Sequence, residues 1–566
     1  MDLTRCEGYG QCAFLAPDVF RMRSDEALMY ETEPDDAQRE AISRAEAACP
    51  VQAITAGGFA SARAQPRPPA AAASAAAVSA VAAAVSAAAA EAGAVPAQRS
   101  PRSGTAAMVE AFRRSGRIVI VGASLAGLRA ATGLRDEGFT GSLTLIGDEA
   151  YKPYDRPPLS KQVLAGFIAA ERTALPRSDE LNARWMLGSA ATGLDLVGKQ
   201  VRLADGGMVE YDRLLIATGT RARPWPNQAE AALDGVFVLR TRDDAASLRQ
   251  RLAARPGRVL VIGAGFTGSE VASACRDQDV PVTVVERGPA PLVGALGEAI
   301  SAVAGDIQRE HGVDLRCGVT VTRLAGDGNG RLRRANLSDD ATIDTDTAVV
   351  ALGALRNVEW LQGSGLAVGP WGVACDAGCR VFDANGVVTD DVFVAGDVAR
   401  SPHPVYEYQF LAVEHWGNAV TQATVAAHNM INAAADRWPH VPSPVFWSVQ
   451  FGTNIKSVGV PSYADQVVIA QGSVAERRFV AVYGYRGRVT AAVGFDQGMW
   501  LESYQKMIDA AAPFPPSFLD VSEQDDRQPV PVGLPDPRTS TGYDTTVMVT
   551  GHDPSERRAE LVYHHR

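Results

Sequence analysis

Two glycine-rich turns carry the chemistry most directly readable in this chain. In RIVIVGASLAGLRA (residues 117–130) the β-branched run Ile118, Val119, Ile120, Val121 leads into Gly122, Ser124 and Gly127, then into an Ala/Leu-rich helix. Glycine at such a turn lets a pyrophosphate reach the backbone amides at the helix N-terminus. Asp148 follows 21 residues after Gly127, at the end of SLTLIGD, where a carboxylate accepts hydrogen bonds from a ribose. In RVLVIGAGFTGSEVA (residues 258–272) the GxGxxG pattern is complete at Gly263, Gly265 and Gly268. Glu286 closes the next strand, VTVVE, 18 residues on. Two dinucleotide sites in one chain imply two cofactors that pass electrons to each other.

A second chemistry sits at the N-terminus. CEGYGQC places Cys6 and Cys12 around Tyr9, and Cys49-Pro50 follows, so three of the seven cysteines fall within residues 1–57. A bacterial cluster loop reads C-x2-C-x2-C with a distant C-P, and here Tyr9 replaces the middle cysteine. Three thiolates suit [3Fe-4S]. The alternatives are a zinc site and buried free cysteines. Zinc wants a fourth Cys or His, and residues 1–57 contain no histidine.

Positioning these groups takes several domains, since 566 residues exceed one core and suggest about three to five. Hydrophobic content of 46% and charged content of 21% are those of a globular protein. A net charge of −11 argues against a general binder of nucleic acid or anionic membrane. An odd number of scattered cysteines does not make a secreted disulfide framework, and MDLTRCEG lacks a signal-peptide start, so a cytoplasmic setting is expected. The apolar run 70–90 is Ala and Ser with three valines, too weak for a membrane span.

Residues 58–116 turn Ala/Pro/Ser/Arg-rich and read as a linker, with residues 70–92 helical by propensity. A flexible chain of that length spans roughly 40 Å and holds its ends at an effective concentration approaching the millimolar range. Residues 1–57 carry 11 Asp/Glu against 5 Arg, an acidic face suited to a basic partner patch. The expected division is a ferredoxin-like segment 1–57, linker 58–116, a first dinucleotide domain 117–230 plus 356–438, a second 231–355, a C-terminal domain 439–515 and a tail 516–566 of wrapped or disordered character.

CEGYGQC, FLAPDVF and ACPVQAI together resemble the small single-cluster ferredoxins of actinobacteria that serve cytochromes P450, across residues 1–57. Residues 117–515, with PYDRPPLSK (153–161), LLIATGTRARP (214–224), VFVAGDVAR (392–400) and FWSVQ (446–450), resemble the FAD-dependent ferredoxin reductases of putidaredoxin-reductase type. The fold this implies is multidomain α/β: a small α+β ferredoxin, two Rossmann-like domains of glutathione-reductase type for FAD and NAD, and a C-terminal α+β interface domain, expected to be of βαβ type. By the same resemblance Ala126, Asp148, Arg156, Lys161, Arg223, Asp397 and Trp416 match FAD-contacting positions. Glu270 matches the acid that pairs with Lys161 beside the flavin, where the lysine stabilises negative charge on the reduced ring. Trp447 matches an aromatic near flavin and ferredoxin, and Val449 stands where the family has Asp.

Glu286 would accept from the adenine ribose 2′-OH and repel a 2′-phosphate, favouring NADH over NADPH, although Arg287 is adjacent. No cysteine lies between 50 and 274, so the helix after the first turn lacks the dithiol of disulfide reductases. Cys275, Cys317 and the pair Cys375/Cys379 read as structural. The resulting expectation is an NAD(P)H-dependent ferredoxin reductase that passes electrons through FAD to its own [3Fe-4S] ferredoxin. The external acceptor would be a separate monooxygenase, a cytochrome P450, since no haem-ligand motif appears. The alternatives are an NADH-dependent reductase of a soluble organic acceptor and a redox-sensing binding protein.

Overall fold

The computed structural model describes residues 11–22, 28–30, 36–49, 54, 102–516, 543–550 and 558–565. The chain divides into two units, Met1–Phe112 and Arg113–Arg566. Cys6 and the alanine-rich stretch 70–92 lie outside the described residues.

In the first unit the short helix Gln11–Leu15 packs on the helix Arg39–Ala48, beside an antiparallel pair, Phe20–Met22 with Leu28–Tyr30. Leu15, Val19, Phe20, Ile42, Ala45 and Ile54 bury the apolar faces of these elements. Cys12 lies in the first helix and Cys49 caps the second, and both side chains are buried.

At the boundary between the two units the structure differs from expectation. The last part of the expected linker is a helix, Arg102–Ser115. Its Arg113 donates to the Ile431 carbonyl (3.2 Å) and to Asn432 Oδ1 (2.6 Å).

The β-branched run 118–121 lies in the strand Arg117–Val121 within a six-stranded sheet. Ser142–Ile146 pairs with it on one side and Arg213–Ile216 on the other, both parallel. All but the first residue of Arg117–Val121 are buried, as expected for a strand covered on both faces. The second fingerprint repeats the plan: Val259–Ile262 is flanked by Thr347–Val350 and Val282–Glu286 in a five-stranded parallel sheet. The chain leaves and re-enters the first lobe through an antiparallel ribbon, Thr220–Ala222 with Ala354–Arg356. There Thr218 Oγ1 donates to the Asn357 carbonyl and Asn357 Nδ2 to the Thr218 carbonyl, each at 2.8 Å.

The C-terminal domain is α+β as expected, an antiparallel sheet with the helix Leu501–Asp509 on it, which corrects only the expected βαβ arrangement. Tight hairpins such as Arg478–Tyr485 with Arg488–Phe495 favour antiparallel pairing, because a parallel crossover needs a dozen or more connecting residues. Two strands of the expected loose tail extend this sheet: Tyr543–Thr550 pairs with Gln466–Ser473, and Arg558–His565 pairs with Tyr543–Thr550 at the edge. One apolar cluster joins Leu159 and Val163, the second-fingerprint residues Val261 and Val271, and the C-terminal Phe451, Ile455 and Phe495. That shared core fixes the loop 153–161 against both neighbours. Among the described residues no helix is long and apolar enough to cross a membrane.

Candidate functional site

The first glycine turn is built for close approach. Gly122 has φ +120°, and a Cβ there would lie 2.0 Å from the Ala217 carbonyl oxygen. A Cβ on Gly127 would lie 1.9 Å from the Gly122 carbonyl oxygen, so this glycine lets the helix Leu125–Asp136 sit against the turn. Ser124 caps that helix without a side-chain hydrogen bond, which leaves first-turn amides for an anion. In the second turn Gly268 repeats the Gly127 contact against Gly263 at 2.0 Å, while Gly265 faces open space.

Two adjoining cavities, of about 290 and 220 Å³, share Ser124, Tyr154, Arg156, Thr218, Thr220 and Arg240 in their walls. Gly122 and exposed Asp148 line the smaller one. Ala126, Lys161, Glu270, Asp397, Trp416 and Trp447 line the larger. This extended cleft, with a side-chain-free turn and an uncapped helix terminus, fits a dinucleotide with a bulky ring system. Arg223 lines neither cavity; it lies exposed, its backbone N–H bonded to the Gly353 carbonyl. Arg221, two residues earlier, lines the smaller cavity.

The Lys161–Glu270 pair is a buried device. Lys161 Nζ sits 2.8 Å from Glu270 Oε2, with the side chains 13% and 7% exposed. Ser160 donates to the same carboxylate, and Ser448 Oγ donates to Oε1 at 2.6 Å. Three segments therefore meet here: the loop 153–161, the helix Phe266–Arg276 and the strand Val445–Gln450. Lys161 Nζ also lies 5.5 Å from the centre of the Trp447 ring, a cation–π contact.

Sequence reasoning missed several groups. Arg240 pairs with Asp397 at 2.8 Å, and nothing local to Arg240 marks it. Glu149, which the sequence did not single out, pairs with the expected Arg156 (2.5 Å), whose guanidinium also donates to the Arg240 carbonyl (2.8 Å). Asp155, inside the quoted motif, is 2% exposed; its Oδ1 accepts from Trp416 Nε1 (2.9 Å), while Oδ2 has no partner among the described residues. Burial pushes its carboxyl up to about 7. His415 accepts the Gly417 N–H at Nδ1 (3.1 Å), and burial holds it down to about 4, hence neutral.

In the second lobe Glu286 ends its strand as expected, and both its oxygens are engaged. Oε2 accepts from the Ala264 N–H and Oε1 from the Gly288 N–H, each at 2.7 Å. The carboxylate is thereby held against the glycine turn it was expected to serve. Cys375 and Cys379 are fully buried with thiols pushed up by desolvation, and Cys275 is pushed up to about 12. Among the described residues no cysteine lines either cavity.

Residues 116–423 match the pyridine nucleotide-disulphide oxidoreductase family. The chain belongs to that family. Residues 445–525 match the reductase C-terminal family, and residues 1–56 a 4Fe-4S single cluster domain. A probable ferredoxin reductase of Castellaniella defragrans is 35% identical, over 69% of this chain and 93% of its own. Putidaredoxin reductase of Pseudomonas putida is 32% identical, over 71% of this chain and 94% of its own. The crystal structure of the covalent putidaredoxin reductase–putidaredoxin complex aligns at a TM-score of 0.65 and 30% identity, over 70% of this chain and 94% of that one. The chain is thus an oxidoreductase of the ferredoxin–NAD(+) reductase type. Its family implies FAD and NAD(H), and its N-terminal domain implies an iron–sulfur cluster.

Proposed function

We propose that this chain carries electrons from NADH through FAD to its own N-terminal [3Fe-4S] ferredoxin segment, and from there to a separate cytochrome P450 in the cytoplasm. The observation that carries the reading is the joining, in one chain, of an iron–sulfur segment to a ferredoxin reductase whose cofactor cleft is lined by no cysteine among the described residues. Electrons that cannot leave through a dithiol leave singly, and a tethered cluster is the acceptor closest at hand.

FAD, when bound, supplies two-electron hydride acceptance and one-electron release. Around it Gly122, Ser124, Ala126 and Gly127 bind the pyrophosphate, and Asp148 takes a ribose. Arg156, Asp397 and Trp416 line the remainder of the cleft. Arg223 lies outside the cavities in this structure and is left out of the FAD-binding set. Lys161, oriented by Glu270, places a fixed positive charge where negative charge accumulates. Gly263, Gly265, Gly268 and Glu286 hold NADH, the carboxylate repelling the 2′-phosphate of NADPH. Cys6, Cys12 and Cys49 would hold three irons, with Tyr9 in place of a fourth thiolate. The functional division is 1–57, 58–116, 117–230 with 356–438, 231–355 and 439–515, followed by the 516–566 tail.

Serine at Cys6, Cys12 or Cys49 tests the relay. NADH-driven reduction of ferricyanide should persist, while reduction of a P450 partner falls at least a hundredfold. Undiminished P450 reduction would show that the cluster is not on the path.

A further inference from the structure

The carboxylates of the larger cavity are unequally treated. Of its four basic side chains, Lys161 is taken by Glu270, Arg240 by Asp397 and Arg156 by Glu149, while His415 is neutral. Glu414, ahead of the helix Trp416–Ile431, is paired with Arg356. Asp155 alone among the cavity carboxylates forms no ion pair among the described residues. Trp416 Nε1 and the Arg156 backbone N–H donate to its carboxylate, and Oδ2 is buried without a partner among the described residues. An ionised carboxylate in that setting is strongly disfavoured, so the group takes a proton. Two acids held in one site at different protonation states divide the labour between fixed charge and proton exchange.

We propose that Asp155 is the redox-linked proton site of the flavin cavity, binding a proton on Oδ2 when the cofactor is reduced and releasing it to water, in neutral to alkaline solution, when the cofactor is oxidised. This rests on the reading of FAD in the cleft with NADH as its reductant. NADH leaves as NAD+, and the hydride's two electrons and proton stay on the cofactor. The negative charge so added is balanced by one proton taken from water onto Asp155. Burial that sets Asp155 near 7 puts this exchange in the working range. The facing charges at Lys161, Glu270, Asp397, Arg240, Arg156 and Glu414 are already paired with one another or with neighbours; Lys161 still favours the ionised form of Asp155, but burial outweighs it and leaves Asp155 the group that responds.

The test is a spectroelectrochemical titration of the flavin in the full-length holoprotein between pH 6 and 9, for wild type, Asp155→Asn and Asp155→Glu. In wild type the reduced-to-oxidised equilibrium should lose an extra tenfold per pH unit above about pH 7, which is about 30 mV per unit for a two-electron couple. Asp155→Asn should remove the break and Asp155→Glu should keep one. An identical pH slope in wild type and Asp155→Asn would overturn the proposal. Wild-type protein carrying 13C-labelled aspartate gives a check that needs no variant. At pH 8 its reduced-minus-oxidised infrared spectrum should gain a protonated aspartyl C=O band, and the absence of that band also overturns the proposal. Flavin content and bleaching by NADH on the same sample report separately on the parent reading.

Discussion

Neither Lys161 nor Glu270 can be removed without stranding the other. Replacing Lys161 by Met leaves a buried carboxylate facing only two hydroxyls, which should cost about 3–5 kcal/mol of stability by urea unfolding. Adding Glu270→Gln should recover most of that loss. Flavin reduction by NADH, followed by stopped flow, should stay slower by about 10²–10³ in both variants, because the fixed positive charge is gone. Recovery of rate together with stability would assign the pair a structural role only. Asp155 makes a second prediction at this scale. The unfolded chain loses that proton above about pH 4, whereas the folded flavin-free chain keeps it to about pH 7. Stability from this site is therefore fullest below about pH 4 and declines as pH rises through about 7. Urea midpoints against pH should show that decline in wild type and lose it in Asp155→Asn. Sequence reading reached Lys161, Glu270 and Asp397 because each sits in a quoted motif, and Trp416 through the family resemblance alone. It missed Arg240 because its partner Asp397 is 157 residues away and the pairing exists only in the folded cleft.

At the scale of elements, the glycine turns separate the two nucleotide sites. Ala at Gly127 puts a methyl into the Gly122 carbonyl and must displace the helix that caps the first cavity, so the variant should purify with little FAD. Ala at Gly268 strains the second turn in the same way, and that variant should keep its FAD while KM for NADH rises at least tenfold. Loss of FAD from both would mean the lobes do not act separately. The parallel strands around both glycine turns were legible because buried β-branched runs end in glycine turns that carry their own signature. The C-terminal domain was legible in position but not in topology, since short apolar strands alone do not say whether they pair parallel or antiparallel. The strands Tyr543–Thr550 and Arg558–His565 were missed because they follow a Pro/Asp/Ser-rich stretch that breaks any periodic signal.

At the scale of the whole molecule, the relatives show that the reductase part stands as a chain of its own. Residues amounting to about 70% of this protein cover 93–94% of the two reductases described above. A version lacking residues 1–101 should therefore keep NADH–ferricyanide turnover within about twofold of the intact chain and lose P450 reduction at low protein concentration. Adding the ferredoxin segment back in trans at micromolar concentration should recover only part of the rate, since the tether supplies a local concentration near millimolar. The sequence pattern did not show the helix Arg102–Ser115, whose anchor Arg113 reaches partners more than 300 residues away.

The central claim is an internal relay, and an anaerobic NADH titration of the intact protein, read by absorbance and EPR together, tests it most directly. The account predicts that flavin bleaching and loss of an oxidised three-iron EPR signal occur within the same titration. A flavin fully reduced while that signal persists unchanged would contradict it and move the soluble-acceptor reading ahead.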